Sequence, residues 1–241
     1  SIDKNWWRQE YKLQTNGTWL AQKTPNKDVT WEKTRITNIG IDLGAWNNAF
    51  TATIDLYNKK TRDALIEQKL PSTIGVGSNT YKLNKGEISN KGIELALSYR
   101  GSINHFNYLV SGNISYNKNK VLNIGNASYL SGGSFNRTLV DGPVAAFWGY
   151  VADGLYQTQA EIDALNAISM EKWGVAYDAG NIGPGDIKFK DLNGDKRINE
   201  DDMTSIGNPW PSYVYGFNMN LEYKGFEFNM NWQGVADRDI Y

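Results

Sequence analysis

The residue types with the clearest chemical potential lie between Asp191 and Asp202. Oxygen-bearing side chains fall at Asp191, Asn193, Asp195, Asn199 and Asp202, which are positions 1, 3, 5, 9 and 12 of a twelve-residue loop. Arg197 at position 7 offers its backbone carbonyl, and Ile198 at position 8 pins the loop to a core. Calcium takes about six to eight hard oxygen ligands, and this spacing supplies them from one compact turn. Two departures count against a metal. Lys196 stands at position 6, where the sharp bend normally requires Gly, and position 12 is Asp rather than the longer Glu. The competing reading is an acidic Asx-turn loop without an ion. Calcium, if bound, is a structural staple here and not a catalytic ion.

Other chemistry is poorly supplied. His105 is the single histidine and there is no cysteine, so a transition-metal cluster or a Ser-His-Asp site would rest on one imidazole in an expected short turn. The 26 acidic residues offer many carboxylate pairs, but nothing in the sequence selects one for glycoside hydrolysis. The glycine clusters at 132–134 and 180–185 lack the lysine and the strand-to-helix context of a phosphate loop. We find no catalytic constellation, and the chain is not expected to be an enzyme. Aromatic residues are a different matter. Trp148, Tyr150 and Trp210 are candidate substrate contacts, because sugar rings present apolar C–H faces that stack on aromatic planes. The alternative is that they pack a large loop into its own small core.

The elements that must position these residues alternate in sequence. From Tyr215 to Tyr223, odd positions are apolar or aromatic (Phe217, Met219, Leu221) and even positions are small or polar (Asn218, Asn220). After a tight Lys224-Gly225 turn the pattern returns, with Phe228, Met230 and Trp232 against Asn229, Asn231 and Gln233. Successive strand side chains point to opposite faces, so this is a two-faced antiparallel hairpin. Two more hairpins are expected at 34–57, turning through Gly44–Asn48, and at 92–116, turning through Gly101–His105. The links between hairpins, 58–91 and 117–212, are long. Within the second, Thr158 and Glu161 have capping-box spacing and open a helix to about Asn166.

Bulk properties narrow the class. In 241 residues the net charge is −1, which argues against nucleic acid as a partner. Aromatics reach 13%, with nine Trp and fourteen Tyr, while mean hydropathy is −0.54. No apolar run approaches the ~20 residues of a spanning helix, but barrel strands alternate and escape that criterion. The opening residues carry no charged region leading into an apolar stretch, and the chain reads as an internal piece of something larger.

Six strands in three hairpins, with short and long links in strict alternation, fit an all-β, antiparallel transmembrane β-barrel with long extracellular loops and one short helix. Aromatics near the strand ends (Trp46, Tyr57, Tyr99, Phe106, Tyr116, Tyr223, Phe226, Trp232) resemble the interfacial girdles of such barrels. The alternative is a soluble, calcium-stabilised, carbohydrate-binding β-sandwich with the same aromatics in its core. Six strands are too few to close a spanning barrel, so on the first reading they form part of a larger wall.

Several motifs carry a resemblance. They are residues 39–44 (IGIDLG), 55–61 (DLYNKKT), 90–95 (NKGIEL), 114–119 (ISYNKN), 185–195 (GDIKFKDLNGD), 206–209 (IGNP), and 215–217 (YGF) with 223–226 (YKGF). Together, and in this order, they are similar to the C-terminal barrel portion of the SusC/RagA family of TonB-dependent outer-membrane transporters. The resemblance implies a 22-stranded barrel in outer-membrane lipid, with 1–241 as part of one barrel domain. It also implies a plug and a TonB-contacting segment outside these residues, and a SusD-like surface lipoprotein. Import of an oligosaccharide or peptide, driven through TonB, would be the function. Lys196, where the family usually carries Gly, departs from the pattern at the loop that opens this section.

Overall fold

The computed structural model describes residues 11–13, 19–21, 26–69 and 80–241. Near the start, β1 (Tyr11–Leu13) pairs antiparallel with β2 (Trp19–Ala21). The main element is a six-stranded antiparallel sheet of β3 (Lys33–Ala45), β4 (Phe50–Lys69), β5 (Thr80–Ile103), β6 (Phe106–Ile124), β13 (Tyr213–Tyr223) and β14 (Phe226–Ala236). Strands adjacent in sequence are adjacent in space, in the order β14-β13-β6-β5-β4-β3.

Turn chemistry explains the short connections. Trp46, Asn47 and Asn48 all adopt positive φ, and Ala49 N–H closes the turn on the Trp46 carbonyl. Asn104 (φ 54°) and His105 make a two-residue turn, and Lys224 (φ 47°) with Gly225 (φ 85°) makes another. In the second of these, two successive residues at positive φ match the right-handed twist of the flanking strands, while at 104–105 only Asn104 takes that conformation. All three turns lie at one end of the sheet, because the strands alternate in direction.

The opposite end differs from the sequence expectation. Residues 58–91 are not an irregular link: β4 continues to Lys69 and β5 starts at Thr80, through a register shift near residues 61–65. Many residues of these extensions are polar, so no continuous apolar face marks them in the sequence. Residues 70–77, expected in that link, lie outside the described residues, as do residues 1–10. Likewise β6 runs on to Ile124, so the second link begins later than 117.

Residues 125–212 form a lobe. A four-stranded sheet in the order β12-β9-β8-β7 joins β7 (Leu130–Ser131), β8 (Asn136–Thr138), β9 (Ala146–Gly149) and β12 (Thr204–Gly207). Beside it, β10 (Ala152–Leu155) pairs with β11 (Ile187–Phe189). Helix α1 spans Gln159–Trp173, a full two turns beyond the expected end at Asn166. Thr158 caps it by accepting from Glu161 N–H at 3.2 Å, while the Glu161 carboxylate accepts from Gln157 N–H rather than from the cap residue. Gly174 at φ 71° ends it. The lobe has its own core of Ala146, Tyr156, Ile162, Tyr177 and Ile198.

Candidate functional site: two faces and the lobe between them

Pairing register sorts the sheet into two continuous faces. One row across all six strands reads Leu43, Ala52, Leu97, Gly112, Phe217 and Trp232. The next reads Ile41, Ile54, Leu95, Ile114, Tyr215 and Gly234, and the third Ile39, Leu56, Ile93, Tyr116, Tyr213 and Ala236. The face is apolar and open: Ile39 is 66% exposed and Trp232 also 66%. In water that much contiguous apolar surface is unfavourable, so another apolar phase must cover it. Among the described residues no second sheet lies on this face. A β-sandwich would need a second sheet packed there.

Rings border the face at both ends. On the tight-turn side Trp46 packs edge-on against Phe50 and Tyr99, and Tyr99 against Tyr108. Phe106, packed on Tyr108, pairs with Tyr223 at this same end, and ten residues along β13 from Tyr223, Tyr213 packs on Tyr116 with centroids 5.0 Å apart. At about 3.4 Å per residue and a tilt near 40°, ten residues rise about 26 Å, close to the apolar band of about 25 Å on a spanning barrel.

The other face is polar. Thr53 Oγ1 donates to Asp42 Oδ1 at 2.7 Å, and Asn113, Asn218, Asn220, Asn229, Asn231 and Gln233 project on this side. At its upper end a run of hydrogen bonds leads into the lobe. Tyr57 OH donates to Asn117 Oδ1 (3.0 Å), and Asn117 and Asn119 both donate to Asn90 Oδ1 (3.4 and 2.9 Å). Asn119 Oδ1 accepts from Val144 N–H (2.9 Å), and the Val144 carbonyl accepts from Trp210 Nε1 (2.7 Å). Asn90, Asn117 and Asn119 lie in the NKGIEL and ISYNKN motifs, but no role for them was legible there. They face one another only once β5 and β6 pair.

Matches to known proteins bear on the same chain. The family described as TonB dependent receptor-like, beta-barrel matches residues 5–236. The chain belongs to this family. TonB-dependent receptor P26 of Formosa agariphila is 30% identical over 237 residues, covering 95% of this chain and 22% of that protein. TonB-dependent receptor SusC of Bacteroides thetaiotaomicron is 28% identical over 229 residues, 91% of this chain and 21% of that one. Among solved structures, the RagAB peptide importer in its open-open state superposes with a TM-score of 0.69 at 20% identity, covering 96% of this chain and 24% of that one. The chain thus spans about a fifth of its relatives' length. In a TonB-dependent receptor barrel of the outer membrane, the apolar face is the lipid face and the polar face lines the lumen. β3 and β14 are edges of the described sheet, and unpaired edges cannot face lipid, so the sheet is one arc of a larger wall.

The sequence candidates separate. Trp148, Tyr150 and Trp210 do not form one platform: among the described residues no ring contact joins any two of them. Arg137 lies 5.1 Å over the Trp148 ring, and Tyr150 packs on Phe189 at 5.0 Å. Trp210 is half exposed but spends its N–H on Val144.

The 191–202 loop closes as a compact knot. Asp191 accepts from the N–H groups of Gly194, Asp195 and Lys196. Asp202, fully buried, accepts from Leu192, Asn193 and Asn199. Asn193 and Asn199 each accept a backbone N–H two residues on. Lys196 takes φ 72°, so the bend that favours Gly is kept with Lys in it. Burial raises the Asp195 carboxyl, but Arg197's backbone N–H and its guanidinium at 3.2 Å outweigh that and hold it below the ordinary range. Helix α1 braces the loop, with Trp173 Nε1 donating to the Asp195 carbonyl at 2.8 Å. Among the described residues no group of three or more His, Cys, Asp or Glu converges in a metal-holding arrangement.

Proposed function

We propose that this chain supplies wall and extracellular loop to a TonB-dependent importer that takes up an oligosaccharide or a peptide with a SusD-like surface lipoprotein. The observation that carries the reading is the hydrogen-bonded path from Tyr57 through Asn117, Asn90 and Asn119 to Val144 and Trp210. It ties the lobe to the lumen face, where a passing solute and a lid would both meet it. The lumen carboxamides donate and accept, which suits sugar hydroxyls and peptide bonds alike. The likeness in fold to the RagAB peptide importer supports the peptide arm. Trp148, Tyr150 and Trp210 remain the proposed loop contacts, as separate points rather than one stacking surface. A plug and a TonB-contacting segment would come from other residues of the whole protein.

The test is uptake of labelled oligosaccharide and peptide mixtures by cells carrying the full-length protein. Uptake should stop when the proton gradient is collapsed, and also when residues 125–212 are replaced by a short turn that leaves the barrel folded. Uptake indifferent to both changes would overturn the reading.

Calcium at the 191–202 loop is part of the proposal as a structural staple. A carboxylate has about four lone-pair sites. Asp191 and Asp202 each accept three N–H groups, so each keeps about one site for a cation, while Arg197 competes for Asp195. Calcium should raise the lobe's melting temperature and chelator should lower it; identical melting in both would limit the loop to its hydrogen bonds.

A further inference from the structure

The outward face does not end at the Tyr116–Tyr213 belt. The next row above it reads Thr37, Asn58, Lys91 and Lys118, and the one after reads Arg35, Lys60, Ser89 and Lys120. Lys33 and Arg62 pair above those. Seven cations therefore crown the lipid face on the side of the long connections. Some are neutralised: Lys60 and Arg62 hold Glu87, Lys33 holds Asp63, and Lys120 holds Asp141. Arg35, Lys91 and Lys118 have no ion pair among the described residues.

Lys91 and Lys118 are direct cross-strand partners, which places their Cβ atoms about 5 Å apart. Like charges so placed repel, and the arrangement is unfavourable unless an anion lies between them. The two lysines line a groove of about 420 Å³ with Lys60, Ser89 and Lys120. Below the ring belt, Gly112 opens a second, apolar groove of about 380 Å³ between Leu97 and Phe217. From Gly112 to Lys118 is six residues, about 20 Å along the strand, or one acyl chain's length. At the tight-turn end the outward rows finish in Trp46, Ile103, Phe106, Tyr223 and Phe226, without such a crown.

We infer that the band around Lys91 and Lys118 binds the phosphate groups of a phosphorylated glycolipid in the outer leaflet, with an acyl chain in the Gly112 groove. Charge complementarity and continuity with the lipid face select this occupant, since the band begins where the apolar phase gives way to headgroups. Clustered lysines and arginines beside a membrane attract anionic lipid headgroups. The inference rests on the assignment of the apolar face to lipid, not on the proposed cargo.

The test uses full-length protein in phosphatidylcholine vesicles with or without lipid A, and with lipid A stripped of its phosphates. Binding is read as lipid A retained per folded barrel after gel filtration. The R35Q/K91Q/K118Q variant should retain lipid A about 100-fold less tightly than wild type, since each lost charge weakens attraction several-fold. Lys224→Gln, a cation at the opposite end, should change nothing. Wild type should prefer intact over dephosphorylated lipid A, and 1 M salt should erase the preference. Equal retention by the triple variant, or equal retention of the two lipids by wild type, would overturn the inference. Loss of a lipoprotein partner with lipid A retained would reassign the band to a protein interface and equally overturn it. A chain that shows no heat-modifiable folded form in any lipid would defeat the wall assignment itself, whereas failed substrate uptake would leave this inference standing.

Discussion

The sheet and the lobe share one chain and obey opposite solvent rules. In the lobe, Tyr156, Tyr177 and Ile198 are buried in a core, as in any domain that folds in water. In the middle of the sheet the apolar side chains stand open toward lipid, and Asn, Ser and Thr occupy the lumen side. The backbone physics is the same in both, since strands inside each sheet satisfy their N–H and C=O groups through their neighbours. What changes is the phase outside. A protein that spans from membrane to water therefore switches its pattern along single strands: β5 is apolar outward at Ile93 and basic outward at Lys91, two residues away.

The comparison can be broken first in the lobe. Tyr156 is almost fully buried, and Tyr156→Ala should cost about 3–5 kcal/mol, the range of large aromatic truncations. Limited proteolysis should cut within 125–212 while the barrel keeps its heat-modifiable gel band. Loss of that band together with the lobe would mean that the two regions fold as one unit. The sheet supplies the next effect. Met219 lies mid-strand on the lipid face and Asn218 beside it on the lumen face. Met219→Arg should cost about 2–4 kcal/mol in bilayers and Asn218→Arg much less. Equal costs in urea titrations of vesicle-folded protein would reverse the assignment of faces.

These two regions were not equally legible in the sequence. The period-2 alternation of 215–233 announced both hairpin and faces, because a bilayer enforces it at every position. The upper reaches of β4 and β5 were missed for the same reason: past Tyr57 the outer phase is aqueous, and residues such as Asn58, Lys60 and Lys91 carry no alternation to read. The lobe's helix was found by its cap but stopped short, since Ala167 to Trp173 lacks a clean apolar stripe. The acidic loop was found as a motif, yet its deepest feature, Asp202 bonding back to Leu192 and Asn199, depends on closure in three dimensions.

Alkali should sharpen the contrast. Burial, with the nearby Asp178 and Glu161 charges, pushes the Tyr156 hydroxyl up to about 12. Burial, with Asp191 next, pushes Tyr177 equally high. Raised folded-state values favour the protonated form, so the lobe's stability is intact below the ordinary tyrosine pKa near 10 and is lost as pH rises from about 10 through 12. The near-ultraviolet signal of the lobe should fade across that window before the sheet's far-ultraviolet signal does. Simultaneous loss would erase the distinction between the regions.

The smallest effect isolates a single local device. Thr158 leaves the helix with one satisfied N–H, that of Glu161, and Glu161 in turn holds Lys188 at 2.8 Å on β11. Thr158→Ala should cost about 1 kcal/mol, as N-cap truncations do. Lys188, followed by the Gln157 N–H, holds the Glu161 carboxyl below the ordinary range, and Glu161→Gln removes that carboxylate. A depressed carboxyl adds stability above its unfolded pKa that is lost as pH falls, so the Glu161→Gln effect should shrink toward pH 4 while the Thr158→Ala effect should not. Thermal melts of the lobe at pH 4 and pH 7 separate the two. If both variants lost the same stability at both pH values, the ion pair would contribute nothing beyond the cap, and the helix would be held on β11 by packing alone.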